Sequence, residues 1–111
     1  MEIELRGKMV KIRYRRYFQE QKTWVFLGRI LSYDRGCFVV EGKGVIIHLA
    51  AVERVLIDEE PRVLIIPRDN IAHIRVLPDE FDIGKIEVVE KGMRLFARVP
   101  GAPDTSIGET L

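Results

Sequence analysis

Between Met9 and Tyr14 apolar and cationic side chains alternate residue by residue, with Val10, Ile12 and Tyr14 on one side and Lys11, Arg13 and Arg15 on the other. A period of two is that of a half-buried β-strand. Residues 18–22 are polar and include two glutamines, so they read as the turn into a second strand, Thr23–Tyr33. That strand, TWVFLGRILSY, is rich in β-branched and aromatic residues and interrupted by Gly28. A glycine inside such a run suits a strong bend, because without a Cβ it allows a kink or a close backbone approach. Asp34, Arg35 and Gly36 form a turn, since aspartate favours turn starts and glycine tolerates positive φ. Residues 37–40 make a third strand.

The pattern then loosens. Residues 41–44 read as a glycine-containing break, 45–49 as an apolar run, and 48–55 as more helical, so that 44–60 stays open between strand and helix. Asp58, Glu59, Glu60 and Pro61 mark a loop, because proline ends strand pairing and carboxylates prefer water. Residues 63–66 and 71–77 are two further β-rich runs joined by a polar turn over 67–70, where Pro67 presets φ. Residues 78–82 close the module. Five strands with short connections and little helix predict an all-β fold, a small and strongly bent barrel over residues 1–82. Residues 83–99 look like an added C-terminal hairpin around 90–92, with Ile86, Val88, Leu95, Ala97 and Val99 facing inward. From Pro100 the composition turns to Gly, Pro, Asp, Thr and Ser, which predicts a disordered tail over 100–111.

The chain of 111 residues is 47% hydrophobic and 32% charged, a balance that fits one soluble globular domain. The lone cysteine, Cys37, has no partner for an internal disulfide. No signal-like segment opens the chain and no apolar run approaches membrane-spanning length, so a cytoplasmic protein outside the membrane is expected. Net charge is +1, but residues 1–50 hold ten Lys/Arg against five Asp/Glu and residues 51–111 hold eight against twelve. This asymmetry suits a basic face for anions, attraction between the edges of neighbouring copies, or an ordinary solvated surface. The stripe Lys11, Arg13, Arg15 and Arg16 is accordingly either a phosphate track or a solvated strand face. His48 and His73 alone cannot build a metal site, and Cys37 sits in an apolar run that suits a buried, inert thiol. Gly42, Lys43 and Gly44 lack the residues of a phosphate loop. No enzymatic activity, metal or cofactor is expected.

The glycine at Gly28 in a bent strand, the aspartate turn at Asp34, and the β-turn-β block spanning 63–76 together resemble the two halves of the Sm and Sm-like signature. Phe38 or a neighbour stands where that family usually has a base-contacting asparagine, and Pro67 and Arg68 stand where it has arginine and glycine. The resemblance covers residues 9–78; other small SH3-like barrels share the strand pattern. It implies a five-stranded Sm-like (SH3-like) barrel whose fourth and fifth strands pair with neighbouring copies in a cyclic homo-oligomer of five to eight. Val63, Leu64, Ile65, Ile66, Ile74 and Val76 would form the interface. It also implies single-stranded RNA bound by pore-facing turns through Tyr33, Asp34, Arg35, Phe38, Arg68 and Asn70. Two alternatives are a structural or protein-binding ring without RNA recognition, and a monomeric peptide-binding module.

Overall fold

The computed structural model describes residues 4–17, 22–48 and 54–109. Among these, strands β1 (Met9–Tyr14), β2 (Thr23–Tyr33), β3 (Cys37–Ile47), β4 (Val55–Ile57), β5 (Arg62–Pro67) and β6 (Ile71–Val76) build one antiparallel sheet. A second sheet contains β7 (Val88–Lys91), β8 (Arg94–Ala97) and β9 (Thr105–Glu109). The protein is all-β. None of the described helices is long and apolar enough to cross a membrane.

In the first sheet β3, β2, β1 and β6 lie side by side, and β4 and β5 both pair with the outer side of β3. The two ends of the sheet are therefore β5 and β6, which are consecutive in the chain and separated only by a three-residue 3-10 turn, Arg68–Asn70. Edges joined by so short a link require the sheet to curl strongly. Gly28 opposes Gly42 across β2 and β3, where the two backbones approach too closely to admit a Cβ on either. Bulges at Leu31, between the paired residues Ile30 and Ser32, and between Arg13 and Tyr14 add local twist.

The curled sheet is buried on both faces. Its inner face holds Val10, Ile12, Phe26, Ile30, Phe38, Val40, Ile66 and Ile71. The outer face contributes Met9, Val25, Leu27, Val45 and Ile47 to a second cluster shared with Leu95, Ala97, Val99 and Ile107. Strands buried on both faces read as continuous apolar runs rather than as alternation, which accounts for Val25, Phe26 and Leu27 in succession.

Four expectations change here. The break over 41–44 does not occur, because β3 runs unbroken through both glycines, held by β2 on one side and β5 or β4 on the other. Part of the segment open between strand and helix is β4; residues 49–53 lie outside the described part, as do 18–21 in the expected turn before β2. The hairpin β7–β8 turns at Gly92 (φ 63°) and is not an appendage, since its apolar side shares the outer-face core. The expected disordered tail contains β9, which pairs with β8 and buries Thr105 and Ile107 completely.

Candidate nucleic-acid interface

The turn between β2 and β3 and the turn between β5 and β6 meet at one end of the curled sheet. Asp34 shapes the first. Its Oδ1 accepts the backbone N–H groups of Gly36 at 2.7 Å and Cys37 at 2.9 Å, and these bonds hold its carboxyl below the usual range. Arg68 joins the second turn to the first. Its backbone N–H donates to the Gly36 carbonyl at 2.9 Å, its Nη2 donates to the Asp34 carbonyl at 2.6 Å, and its Cζ lies 5.0 Å from the centre of the Phe38 ring. Tyr33 stacks on Phe38 with ring centres 5.6 Å apart.

Four of the six residues expected to contact RNA are thus packed together, and much of their bonding capacity serves the fold. Phe38 is buried in the inner core against Tyr33 and Arg68, which corrects its expected place among the RNA-contacting residues. Asp34 caps its own turn. Arg35 is exposed at the tip, with no hydrogen bond or ion pair among the described residues. Asn70 bonds elsewhere: its Oδ1 accepts from the Tyr17 hydroxyl at 3.2 Å. Tyr17 also bonds the Asp69 carbonyl at 3.3 Å and was not singled out from the sequence.

Comparison with protein-family models, curated proteins and solved structures finds no match to this chain. Its chemistry must be read from its own residues. Cys37 is half-buried beside Asp34; desolvation and the neighbouring carboxylate push its thiol upward, so it stays protonated and is a poor nucleophile. His73 is exposed on β6, where desolvation and the cations Lys11 and Arg13 push its imidazole below the ordinary value and favour the neutral ring. Among the six expected interface residues, Val63, Ile65 and Val76 are exposed and Leu64 and Ile74 are half-buried against the inner core. Ile66 is corrected to a core residue: alternation along β5 turns it inward.

Lys11 is also corrected. Rather than lying on a solvated strand face, it is 4% exposed, and its Nζ donates to the Ser106 carbonyl of β9 at 2.9 Å. Desolvation first, then Arg13 and Arg75, lower its pKa from 10.5 to about 8. The folded protein therefore releases this proton near pH 8, whereas the unfolded chain keeps it until about 10.5. The unfolded state binds more protons across that window, so this residue makes stability rise with pH there. Urea denaturation at several pH values should show wild type gaining stability relative to Lys11→Met between about pH 8 and 10.5. A difference between the two proteins that does not change with pH would mean that Lys11 titrates normally.

Proposed function

We propose that copies of this chain pair edge to edge, β5 of one copy on β6 of the next, into a closed cytoplasmic ring of the Sm-like type that binds single-stranded RNA. The observation that carries this reading is the pair of strand edges. Neither β5 nor β6 has a second strand partner among the described residues, and each carries apolar side chains in water: Val63 (56% exposed) and Ile65 (68%) on β5, and Val76 (51%) on β6. Unpaired edges with apolar side chains are aggregation-prone unless covered, and a heterologous contact between unlike edges covers both when the rotation closes. The order of strands, with the last pairing on the first, supports the small-barrel part of the resemblance.

For RNA the best-placed groups are Arg35 at the exposed tip and the ring of tips that assembly would create, where one weak contact per copy becomes multivalent. A protein-binding ring without RNA recognition is the second reading. It is favoured by the burial of Phe38 and by the commitment of both the Asp34 carboxylate and Arg68 to the turn between β2 and β3. Native mass spectrometry tests the assembly. The expected result is a discrete oligomer for wild type and a folded monomer for Ile65→Lys, since lysine at an exposed edge blocks strand pairing. A wild-type monomer over the micromolar range would overturn the ring. Weakening of oligonucleotide binding by Arg35→Ala in the intact oligomer would support the RNA part, and unchanged binding would remove Arg35 from it.

A further inference from the structure

We propose that a shallow cleft on the outer face of the sheet, where β1 passes between β2 and β6, binds a phosphate group through Arg13, Arg16 and Thr23. The group is either a free oxyanion such as pyrophosphate or a phosphate of a single-stranded nucleic acid. These residues belong to one chain, so the cleft exists without ring assembly.

The basic stripe legible in the sequence does not persist as a track. Lys11 is buried with its ammonium on the Ser106 carbonyl, and the Nε of Arg15 donates to the Ile71 carbonyl at 3.1 Å. Arg13 and Arg16 remain, and the fold brings them together. Strand pairing sets Arg13 against Val25, whose side chain lies in the outer cluster with Leu27. Alternation along β2 puts Thr23 on that same face. The Nη1 of Arg16 donates to the Thr23 hydroxyl at 3.2 Å, which carries the guanidinium there too. Arg13, Tyr14, Arg16, Thr23 and Ala72 line the cleft, which holds about 200 Å³. Trp24, 46% exposed, alternates to the other face, where it meets Tyr14 edge-on, and takes no part.

Two observations point to an anion. The first is charge without compensation. Among the described residues neither Arg13 nor Arg16 pairs with a carboxylate, and the lining of the cleft includes no acidic residue. The register sets His73 opposite Arg13 and Arg75 opposite Lys11, which adds to the positive character of this face. Carboxylates in the surroundings are already engaged. Asp104 accepts from Lys91 and from the Val99 N–H. Asp58, whose charge reaches Tyr14, accepts the Gly44 N–H and lies 3.9 Å from Arg62.

The second observation is an unspent donor. Thr23 is 6% exposed and its hydroxyl oxygen accepts from Arg16. Its own proton has no acceptor among the described residues, although buried donors are normally satisfied. A phosphate group presents tetrahedral oxygens in enough directions to accept from the hydroxyl and from both guanidinium forks at once. A carboxylate offers two oxygens in one plane and leaves part of this set unmet.

Full-length protein labelled with nitrogen-15 should be titrated with inorganic pyrophosphate, and in parallel with oligouridylate, while amide and histidine-ring signals are followed by NMR. The expected result is saturating shifts centred on Arg13, Arg16, Thr23 and Ala72. Burial, Lys11 and Arg13 hold the His73 imidazole below its ordinary value, and an anion beside Arg13 offsets part of that field. The His73 ring should therefore titrate at higher pH when the ligand is bound. Arg13→Gln and Arg16→Gln should each weaken binding about tenfold, the order expected for losing a hydrogen bond to a charged group. Arg35→Ala and Ile65→Lys should bind as wild type does, which separates the cleft from the turns and from edge pairing. Shifts with pyrophosphate alone would support the cleft as a site for a free oxyanion, and shifts with oligouridylate would support it as a contact for a strand's phosphates. No saturating shift at these residues with either ligand would overturn the proposal. An equal response to sodium chloride of matched ionic strength would also overturn it, because screening of surface charge would then explain the shifts.

Discussion

Replacing Gly42 with alanine is expected to destabilise the protein by about 3 kcal/mol, the upper part of the range for overpacking a close-packed interior. Small domains have about 5–15 kcal/mol in all, so the loss is a large share of what holds the fold. The reason is the curl of the sheet. Gly28 and Gly42 face each other across β2 and β3, and a Cβ on Gly42 would lie 2.5 Å from the Cα of Gly28. The reciprocal contact, a Cβ on Gly28 against the Cα of Gly42, would be 2.7 Å. Both obstacles are backbone, which cannot rotate aside as a side-chain tip does, so either substitution must open the corner that lets β5 and β6 be joined by a three-residue turn. Gly36→Ala is the control: its Cβ would sit 3.6 Å from the Asp34 carboxylate, in ordinary contact, and should cost about 0.5 kcal/mol or less. Urea denaturation of the three variants decides the matter, and equal losses at Gly36 and Gly42 would refute the corner.

That glycine pair shows where local patterning stops. Gly28 is legible as a bend because β-branched and aromatic residues surround it on both sides. Gly42 is not, because Glu41, Gly42, Lys43 and Gly44 together have the composition of a loop. They are strand because hydrogen-bonding partners lie on both sides of β3, and tertiary pairing overrides weak β-propensity. Strands β1 and β2 and the block from β5 to β6 are readable for the opposite reason: their own residues alternate or cluster at β spacing, and their turns carry Asp, Gly or Pro.

At the candidate site the turns were legible but the duties of their side chains were not. Whether Asp34 and Arg68 face a ligand or each other depends on two segments 34 residues apart meeting in space, which no local spacing encodes. Trp24 reads as one more apolar strand residue until its exposure is known. Lys11 fits the polar half of an alternating strand perfectly well, and only the carbonyl of Ser106, 95 residues away, explains its burial. One signal did exist. The unbroken run from Val25 to Leu27 implies a sheet covered on both faces, and a second cover has to come from somewhere in the chain.

The cover is the C-terminal segment, and removing residues 100–111 is expected to abolish the cooperative unfolding transition. Composition alone would make that deletion harmless, since the segment is poor in apolar residues. Its few contacts are, however, central ones. Ile107 is fully buried in the cluster formed with Val25, Leu27, Val45 and Ile47. Gly108 lies so close to Ile47 that a Cβ there would come within 2.7 Å of its Cγ1. Arg75 donates to the Pro103 and Asp104 carbonyls at 2.8 and 3.1 Å, and the Asp104 carboxylate accepts from Lys91 at 2.9 Å and from the Val99 N–H at 3.1 Å. Without the segment, the part of the outer face that Ile107 covers would meet water and Lys11 would lose its carbonyl partner. The single variant Ile107→Ala isolates the packing part and should cost about 2–5 kcal/mol, the range for emptying a fully buried isoleucine site. Met93→Ala, at an exposed position on the same sheet's turn, should cost about 0.5 kcal/mol or less. Equal denaturation midpoints for wild type and Ile107→Ala would mean that β9 is a passenger. A loss confined to Ile107→Ala would mean that a segment nearly without hydrophobic signal completes the core, because one isoleucine and a few backbone carbonyls finish the cover that Leu95, Ala97 and Val99 begin.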